Sequence, residues 1–137
     1  MRDILTASLL LVLSLFSCST AEPPALEVME GTWQLIKISP PDELPGFVNG
    51  AILLEVKADQ QIGIQLSGCN VCGLDYTIEP ANRISLSVPF CTSVGCDTPL
   101  DELFLDILIS VDQYVLLPDL LTLRGAEGTL VLNRLES

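Results

Sequence analysis

The sequence predicts a mainly β fold, a small antiparallel curled sheet or barrel with one inserted α-helix at about residues 98–111. Two observations lead to this fold class. Short apolar segments, several of them alternating with polar residues, are separated by turn residues at intervals that suit strands. One apolar stripe at helical spacing interrupts them between residues 98 and 111. A chain of 137 residues is long enough for one ordinary domain after a targeting segment.

The strands follow one another from residue 30 onward. Trp33 to Ile38 forms the first, and prolines at positions 40, 41 and 45 force a loop after it. Two hairpins are expected next, one from segments 51–56 and 62–66, the other from segments 74–78 and 84–88. Segments 114–117, 120–124 and 129–135 then close the chain as three further strands.

The helix carries a complete start signal. Thr98 can cap it, Pro99 suits its first position, and Asp101 and Glu102 favour its positive end. Its apolar stripe consists of Leu100, Leu103, Phe104, Ile107, Leu108 and Val111. We therefore expect the helix to pack on the sheet. The same helix-start electrostatics explains the acidic cluster of Asp97, Asp101 and Glu102 without a catalytic role.

The N-terminus has the pattern of a targeting segment. Arg2 precedes an apolar run of 13 residues at positions 4–16, too short to span a bilayer of about 30 Å. The run ends in Leu15-Phe16-Ser17-Cys18, which resembles the lipobox of bacterial lipoproteins. We expect residues 1–17 to be a signal peptide, Cys18 to be lipidated (palmitate included), residues 18–29 to be a tether, and residues 30–137 to form the domain.

The alternative is an ordinary secretory signal in which Cys18 is incidental. Cys18 is an odd fifth cysteine beside four that can pair among themselves, and lipidation explains it. Ser19 directly after Cys18 resembles the sorting pattern of outer-membrane lipoproteins. The expected location is therefore the cell envelope, anchored by lipid to the outer membrane.

Composition excludes several classes of function. Six basic and 18 acidic residues give a formal net charge of −12, which argues against a nucleic-acid partner. Histidine is absent, so the commonest general base and every His-ligated metal site are missing. We expect no catalytic residues, no cofactor and no metal.

Several motifs follow one another along the chain: Gly31-Thr32-Trp33-Gln34-Leu35, Ser67-Gly68-Cys69-Asn70, Tyr76 in a strand, Thr92-Ser93-Val94-Gly95-Cys96, the Leu- and Phe-rich helix, and the last two strands. Their order resembles the META domain, the family of the heat-shock protein HslJ, along about residues 30–135. Gly95 stands where the family often has Ala, and Cys72 and Cys91 are additions. The resemblance implies a compact β fold with one helix and no established catalytic residues. Family members are linked to stress response and antibiotic tolerance.

Cys69, Cys72, Cys91 and Cys96 allow three interpretations. They can be a four-thiolate zinc site, a redox-active Cys-x-x-Cys, or two structural disulfides. An exported chain enters an oxidising compartment and this sequence lacks a thioredoxin-like pattern, so disulfides are favoured.

Three pairings of these cysteines are possible, and we favour the nested one, Cys69 with Cys96 and Cys72 with Cys91. Residues that face each other in antiparallel segments have nearly constant index sums, which the nested pairing satisfies better than the crossed one. The resemblance also places Cys69 and Cys96 in the two shared motifs. Gly68, Asn70 and Gly73 surround the first two of these cysteines and can take the positive φ that a tight crossing demands.

These observations predict a non-catalytic, lipid-anchored envelope protein linked to stress or antibiotic tolerance. It would meet the membrane through its anchor and an unidentified protein or small molecule through its domain. The alternative is a binding module, either a lipocalin-like carrier or a protease inhibitor that presents the loop at residues 92–95. Trp33 and Tyr76 can line a binding patch or belong to the core. An enzyme is the third and weakest hypothesis.

Overall fold

The computed structural model describes residues 29–40, 52–95 and 98–135. The predicted signal peptide, most of the tether, the proline-rich loop at 41–50, Cys96 and Asp97 lie outside these residues. The described strands are β1 Gly31–Ser39, β2 Leu53–Val56, β3 Gln61–Gln65, β4 Val71–Glu79, β5 Arg83–Leu86, β6 Phe90–Cys91, β7 Val111–Leu116, β8 Leu120–Gly125 and β9 Gly128–Arg134. The helix α1, Pro99–Ser110, lies between β6 and β7.

Eight of these strands form a closed antiparallel barrel, which confirms the predicted fold class. The strand order is β3-β2-β1-β9-β8-β7-β5-β4, and β3 also pairs with β4, which closes the circle. Closure leaves these strands without an open edge. The ninth strand, β6, pairs with β4 beside the end of β5.

Side chains fill the interior of the barrel. Alternate residues of the strands point inward, and Trp33 and Tyr76 are fully buried among them. The helix adds Phe104, Ile107 and Leu108 to the same core. It packs on β8 and β9, as its apolar stripe predicts. Met29, which the sequence division assigns to the end of the tether, is also buried in this core.

The turn between β8 and β9 rests on the end of the helix. The Ser110 hydroxyl donates to the Ile107 carbonyl at 2.7 Å and accepts from the Glu127 N–H at 3.1 Å. A Cβ atom at Gly125 would overlap the Ser110 carbonyl, so only glycine allows the turn to lie this close to the helix end. The helix of 12 residues passes directly into β7 without a loop. Within the described ranges, no helix has the length and apolar character needed to cross a bilayer.

The boundaries of several predicted elements were wrong by a few residues. The helix ends at Ser110, and Val111 begins β7 because its backbone pairs with β8 at Gly125. Strand β4 begins at Val71, since β3 supplies ladder partners up to Gln65. Strand β5 ends at Leu86, before the expected Val88. The two-residue strand β6 was not predicted, because its length carries no periodic signal.

Candidate functional site

The motifs that stand out in the sequence meet at one corner of the barrel. This polar corner consists of residues 67–70 between β3 and β4, residues 92–94 after β6, and residues 98–101 at the start of α1. Segments that are distant along the chain are joined there by side-chain hydrogen bonds. Two buried polar side chains, Asp101 and Asn70, make most of these bonds.

Asp101 connects the helix start to the loop before β4. One carboxylate oxygen, Oδ1, accepts from the Ser67 N–H at 2.7 Å and the Ser67 hydroxyl at 2.6 Å. The other, Oδ2, accepts from the Gly68 N–H at 3.1 Å and the Thr98 N–H at 3.2 Å. Thr98 returns the last bond by accepting from the Asp101 N–H at 3.2 Å, which completes a capping box.

These bonds determine the charge state of Asp101. Burial by itself raises the pKa of a carboxyl group, and Asp101 is only 1% exposed. The hydrogen bonds from Ser67, Gly68 and Thr98 favour the carboxylate and outweigh burial, so the pKa of Asp101 is lowered. Asp101 is therefore a structural anion, which confirms its expected place at the helix start and adds the loop contacts.

Asn70 holds the segment that follows β6. Its side-chain carbonyl accepts from the Thr92 hydroxyl at 2.9 Å and from the Val94 N–H at 2.9 Å. The Thr92 hydroxyl in turn accepts from the Val71 N–H at 3.1 Å. Asn70 of the Ser67-Gly68-Cys69-Asn70 motif and Thr92 of the next cysteine motif are thus partners in one hydrogen-bond network. The loop at residues 92–94 is fixed while Val94 stays 67% exposed.

A disulfide joins Cys72 of β4 to Cys91 of β6, as predicted. The two residues face each other in the antiparallel ladder. Cys69 is also disulfide-bonded, and its predicted partner Cys96 lies outside the described residues, as does Cys18. The sulfurs of Cys72 and Cys91 are therefore bonded to each other instead of serving as two thiolate ligands of a zinc ion. In the part of the chain that the structure describes, no group of three or more acidic or cysteine side chains is placed to hold a metal ion.

The backbone at the polar corner differs from the prediction. Gly68, Asn70 and Gly73 were considered able to take positive φ at a tight crossing, and none of them does. The described glycines with positive φ are Gly31, Gly95 and Gly128. Gly73 lies inside the β4 ladder opposite Gly63, where extended backbone is required, so no tight crossing arises there.

The Gly-x-Trp motif forms a clasp between the first and last strands. The Trp33 indole N–H donates to the Met29 carbonyl at 3.0 Å, and the Arg134 guanidinium lies 4.2 Å from the centre of the indole rings. Arg134 also donates to the Glu30 carbonyl at 2.6 Å. Gly31 has φ +135, and a Cβ atom there would lie 2.8 Å from the guanidinium. The motif thus serves the fold.

Neither aromatic residue that was considered for a binding patch lies at the surface. Trp33 is 0% and Tyr76 1% exposed, so both belong to the core. The Tyr76 hydroxyl donates to the Lys57 carbonyl at 3.4 Å. Burial raises the pKa of Tyr76, and the negative charges of Glu30 and Asp59 raise it further, so the phenol stays neutral.

A concavity on the outer surface of β2, β3, β4 and β6 was not found by sequence reasoning. We call it the outer groove; its floor is Gly63 of β3 and Gly73 of β4, which face each other in register. One part has a volume of about 420 Å³ and a neighbouring part about 290 Å³, and both include Gly63. The alternation of buried Ile62 and Ile64 around Gly63 was the signal that could have placed one glycine outside.

Exposed apolar side chains line both parts of the outer groove. Phe90 is 86% and Val88 80% exposed, and both line its larger part. Val71, 51% exposed, lines the smaller part. Charged residues also line the groove: Glu55, Lys57 and Asp75. The groove therefore offers an aromatic rim, a floor of exposed backbone and a mixed, mainly acidic, set of charges.

Two solved structures share this architecture. A protein from Burkholderia xenovorans, solved by NMR, has a TM-score of 0.63 at 20% identity and covers 85% of this chain and 90% of its own. A crystal structure of a DUF4847 family protein from Bacteroides vulgatus has a TM-score of 0.60 at 10% identity, covering 79% of this chain and 94% of its own. Identities this low show the shared fold alone. No curated protein matches the chain in sequence.

The META domain family model matches residues 25–137. The match includes the clasp, both motifs of the polar corner, the helix and the closing strands, which are the features that the sequence resemblance used. It covers far more than half of the chain, so this chain belongs to the META domain family.

Proposed function

We propose that the chain is a non-catalytic protein of the cell envelope, anchored through a lipid on Cys18, that supports tolerance of stress or of hydrophobic antibiotics by binding other molecules. Membership of the META family supports a stress-related, envelope-type protein. The anchor, the outer membrane and antibiotic tolerance are the proposed refinements. The lipobox-like end of the N-terminal apolar run and the proline-containing segment after Cys18 support the anchor.

The observation that supports a non-catalytic role is that the motif side chains are used in internal hydrogen bonds. The polar side chains at the centre of the corner, Asp101, Asn70, Ser67, Thr92 and Thr98, all hydrogen-bond to one another or to nearby backbone. Among the described residues, no buried side-chain nitrogen or oxygen lacks a partner. A catalytic group needs a polar atom directed toward substrate, whereas these atoms are directed toward the fold.

The interior of the barrel supports an external mode of binding over a carrier. A lipocalin-like carrier needs a hollow barrel. Here Trp33, Tyr76 and Phe104 and the aliphatic residues around them occupy the interior. Two concavities lined by described residues lie on the outer surface, where Gln61, Gln65 and Phe90 are exposed.

A deletion strain tests the proposal in cells. We expect it to grow normally in rich medium but to be sensitive to heat or to a hydrophobic antibiotic such as novobiocin. The wild-type gene should restore tolerance, and Cys18→Ser should not, because the protein would lose its place at the membrane. Mass spectrometry of the membrane fraction should find an acylated N-terminus at Cys18.

Two results would contradict this proposal. One is full rescue by a Cys18→Ser protein that is found free of membranes. The other is a deletion strain with unchanged tolerance of heat and of hydrophobic antibiotics. Glu102→Gln should restore tolerance fully, because Glu102 is exposed and is assigned to the helix start.

Protease inhibition is a second candidate because one observation favours it. Asn70 accepts a hydrogen bond from the Val94 N–H, which holds an exposed apolar residue on a loop braced by the Cys72–Cys91 bridge. Such a loop is preorganised to enter a protease cleft. Stoichiometric inhibition of a secreted protease by the wild type, lost in Val94→Asp, would replace the stress-tolerance proposal with this one.

A further inference from the structure

We propose that the outer groove binds an extended polypeptide segment that presents a large apolar side chain next to basic residues. The inference rests on the proposed binding function, for which it names the surface and the class of partner. It depends on the shape of the groove, on the glycines of its floor and on its charges.

The shape follows from one row of residues across four strands. Glu55 of β2 faces Gly63 of β3, Gly63 faces Gly73 of β4, and Gly73 faces Phe90 of β6. Neighbouring strands lie about 4.8 Å apart, so two adjacent positions without side chains open a notch about two strands wide. Phe90 stands at one end of this notch with 86% of its surface exposed.

The fold does not require either glycine. A Cβ atom at Gly63 would come no closer than 4.0 Å to Glu55 or Lys57, and at Gly73 no closer than 4.0 Å to the Ile62 carbonyl. Both distances are ordinary contacts. Glycine weakens a strand relative to residues with side chains, and in a strand it often marks the close approach of a ligand or of another backbone. This glycine pair therefore keeps the groove open without any steric need of the barrel.

The rim supplies the apolar contact. Phe90 and Val88 line the larger part of the groove, and both are more than three-quarters exposed. A side chain that enters the notch would be covered by the Phe90 ring on one side and by the exposed backbone of β3 and β4 below. Aromatic residues beside a pocket are the usual anchors of protein interfaces.

Charge selects the partner. Glu55 and Asp75 line the groove against one cation, Lys57, and the whole chain carries a net charge of −12. A basic segment is attracted to this surface, whereas an anionic bilayer or a second copy of the chain is repelled. The concave floor also fits a protruding side chain better than a flat lipid surface.

The test measures peptide binding by fluorescence anisotropy. The mature chain from residue 18 is used with Cys18→Ser, so that no acyl chain contributes. The probe is a labelled synthetic peptide in which phenylalanine alternates with lysine, and its control carries glutamate in place of lysine. We expect saturable binding of the basic peptide, binding weaker by about tenfold or more for the acidic one, and weakening by salt.

Variants assign the binding to the groove. Gly73→Val fills the floor and Phe90→Ser removes the rim, and each should weaken binding by about tenfold or more. Val115→Ser is the matched control, because Val115 is an exposed apolar residue on β7, outside the groove. Circular dichroism should show that all three variants are folded. Gly73→Ala provides a smaller filling if valine disturbs the strand.

Several outcomes would overturn the inference. They are equal binding of both peptides, no binding of either, or binding that Gly73→Val leaves unchanged. Binding to vesicles of phosphatidylethanolamine and phosphatidylglycerol that Phe90→Ser abolishes would assign the surface to lipid instead. A dimer in sedimentation that Phe90→Ser dissociates would assign it to a second copy. If Gly73→Val fully restores tolerance in the deletion strain while Cys18→Ser does not, the anchored envelope protein stands and the groove proposal fails.

Discussion

The polar corner lies directly before strand β4 and the outer groove lies on the outer face of that strand, but the two regions have opposite characters. At the polar corner, buried Asp101 and Asn70 bind neighbouring groups in several directions, and a disulfide crosses from β4 to β6 beside it. In the outer groove, Gly63 and Gly73 leave backbone uncovered next to exposed Phe90. The corner is saturated with internal partners, whereas the groove has surface available for another molecule.

This difference indicates that the motifs recognisable in the sequence stabilise the fold. Ser67, Asn70 and Thr92 belong to the motifs of the family resemblance, and their bonds join segments that are distant along the chain. Gly63 and Gly73 belong to none of the shared motifs, yet they form the surface with the geometry of a binding site. Substitutions at the corner should therefore lower the free energy of unfolding, and substitutions in the groove should leave it nearly unchanged.

The largest loss of stability is expected from removing the Cys72–Cys91 disulfide, which joins β4 to β6 beside the polar corner. Cys72→Ala combined with Cys91→Ala opens a loop with a sequence separation of 19 residues. In the chain-entropy model this costs about 3 kcal/mol of unfolding free energy. Urea denaturation of the oxidised protein and of the double variant measures it. A difference below about 1 kcal/mol would show that the corner does not depend on this bridge.

Asp101→Asn should cause the next largest loss of unfolding free energy. Either orientation of the amide places its NH₂ group against two donors, the N–H and hydroxyl of Ser67 or the N–H groups of Gly68 and Thr98. Buried donors without acceptors and the loss of a charged acceptor predict a loss of about 2 kcal/mol. Glu102→Gln is the matched control one residue away, and the exposed carboxyl there should change stability by no more than about 0.5 kcal/mol.

Acid should weaken the corner through the same carboxylate. The pKa of Asp101 is lower in the folded protein than its ordinary value of 3.8, so its contribution is fully present above that value. The contribution is lost as the pH falls through the lowered folded pKa. Thermal melts below about pH 4 should therefore fall more steeply for the wild type than for Asp101→Asn. Parallel curves for the two proteins would contradict this assignment.

The smallest change in unfolding free energy is expected from substitutions in the groove. Gly63→Ala and Gly73→Ala add a Cβ atom in ordinary contact with its neighbours, so the unfolding free energy should stay the same or rise by up to about 1 kcal/mol. Gly125→Ala is the contrasting glycine, because its Cβ atom would overlap the Ser110 carbonyl and lower stability. A clear loss in both groove variants would show that the barrel needs these glycines and would remove the distinction between the two regions.

Local patterns in the sequence were sufficient for the elements themselves. The alternation in 62–66, the turn after Ile78 and the Thr98-Pro99 start of the helix each depend on residues close together in the chain. The nested cysteine pairing, which was chosen on the assumption of an antiparallel approach, correctly joined Cys72 to Cys91. Lipidation of Cys18 and the pairing of Cys69 with Cys96 remain predictions, since Cys18 and Cys96 are outside the described residues.

Only the tertiary structure decided how the barrel closes and what its surface offers. The pairings of β3 with β4 and of β1 with β9 bring Gly63 opposite Gly73 and Arg134 onto Trp33. Likewise, Asp101 binds the loop before β4 through Ser67, which lies 34 positions earlier in the chain. Periodicity reports which face of one element is buried, but it carries no information about which distant element lies beside it. The motifs that identify the family are therefore readable from the sequence, and the groove becomes visible only when the strands are in register.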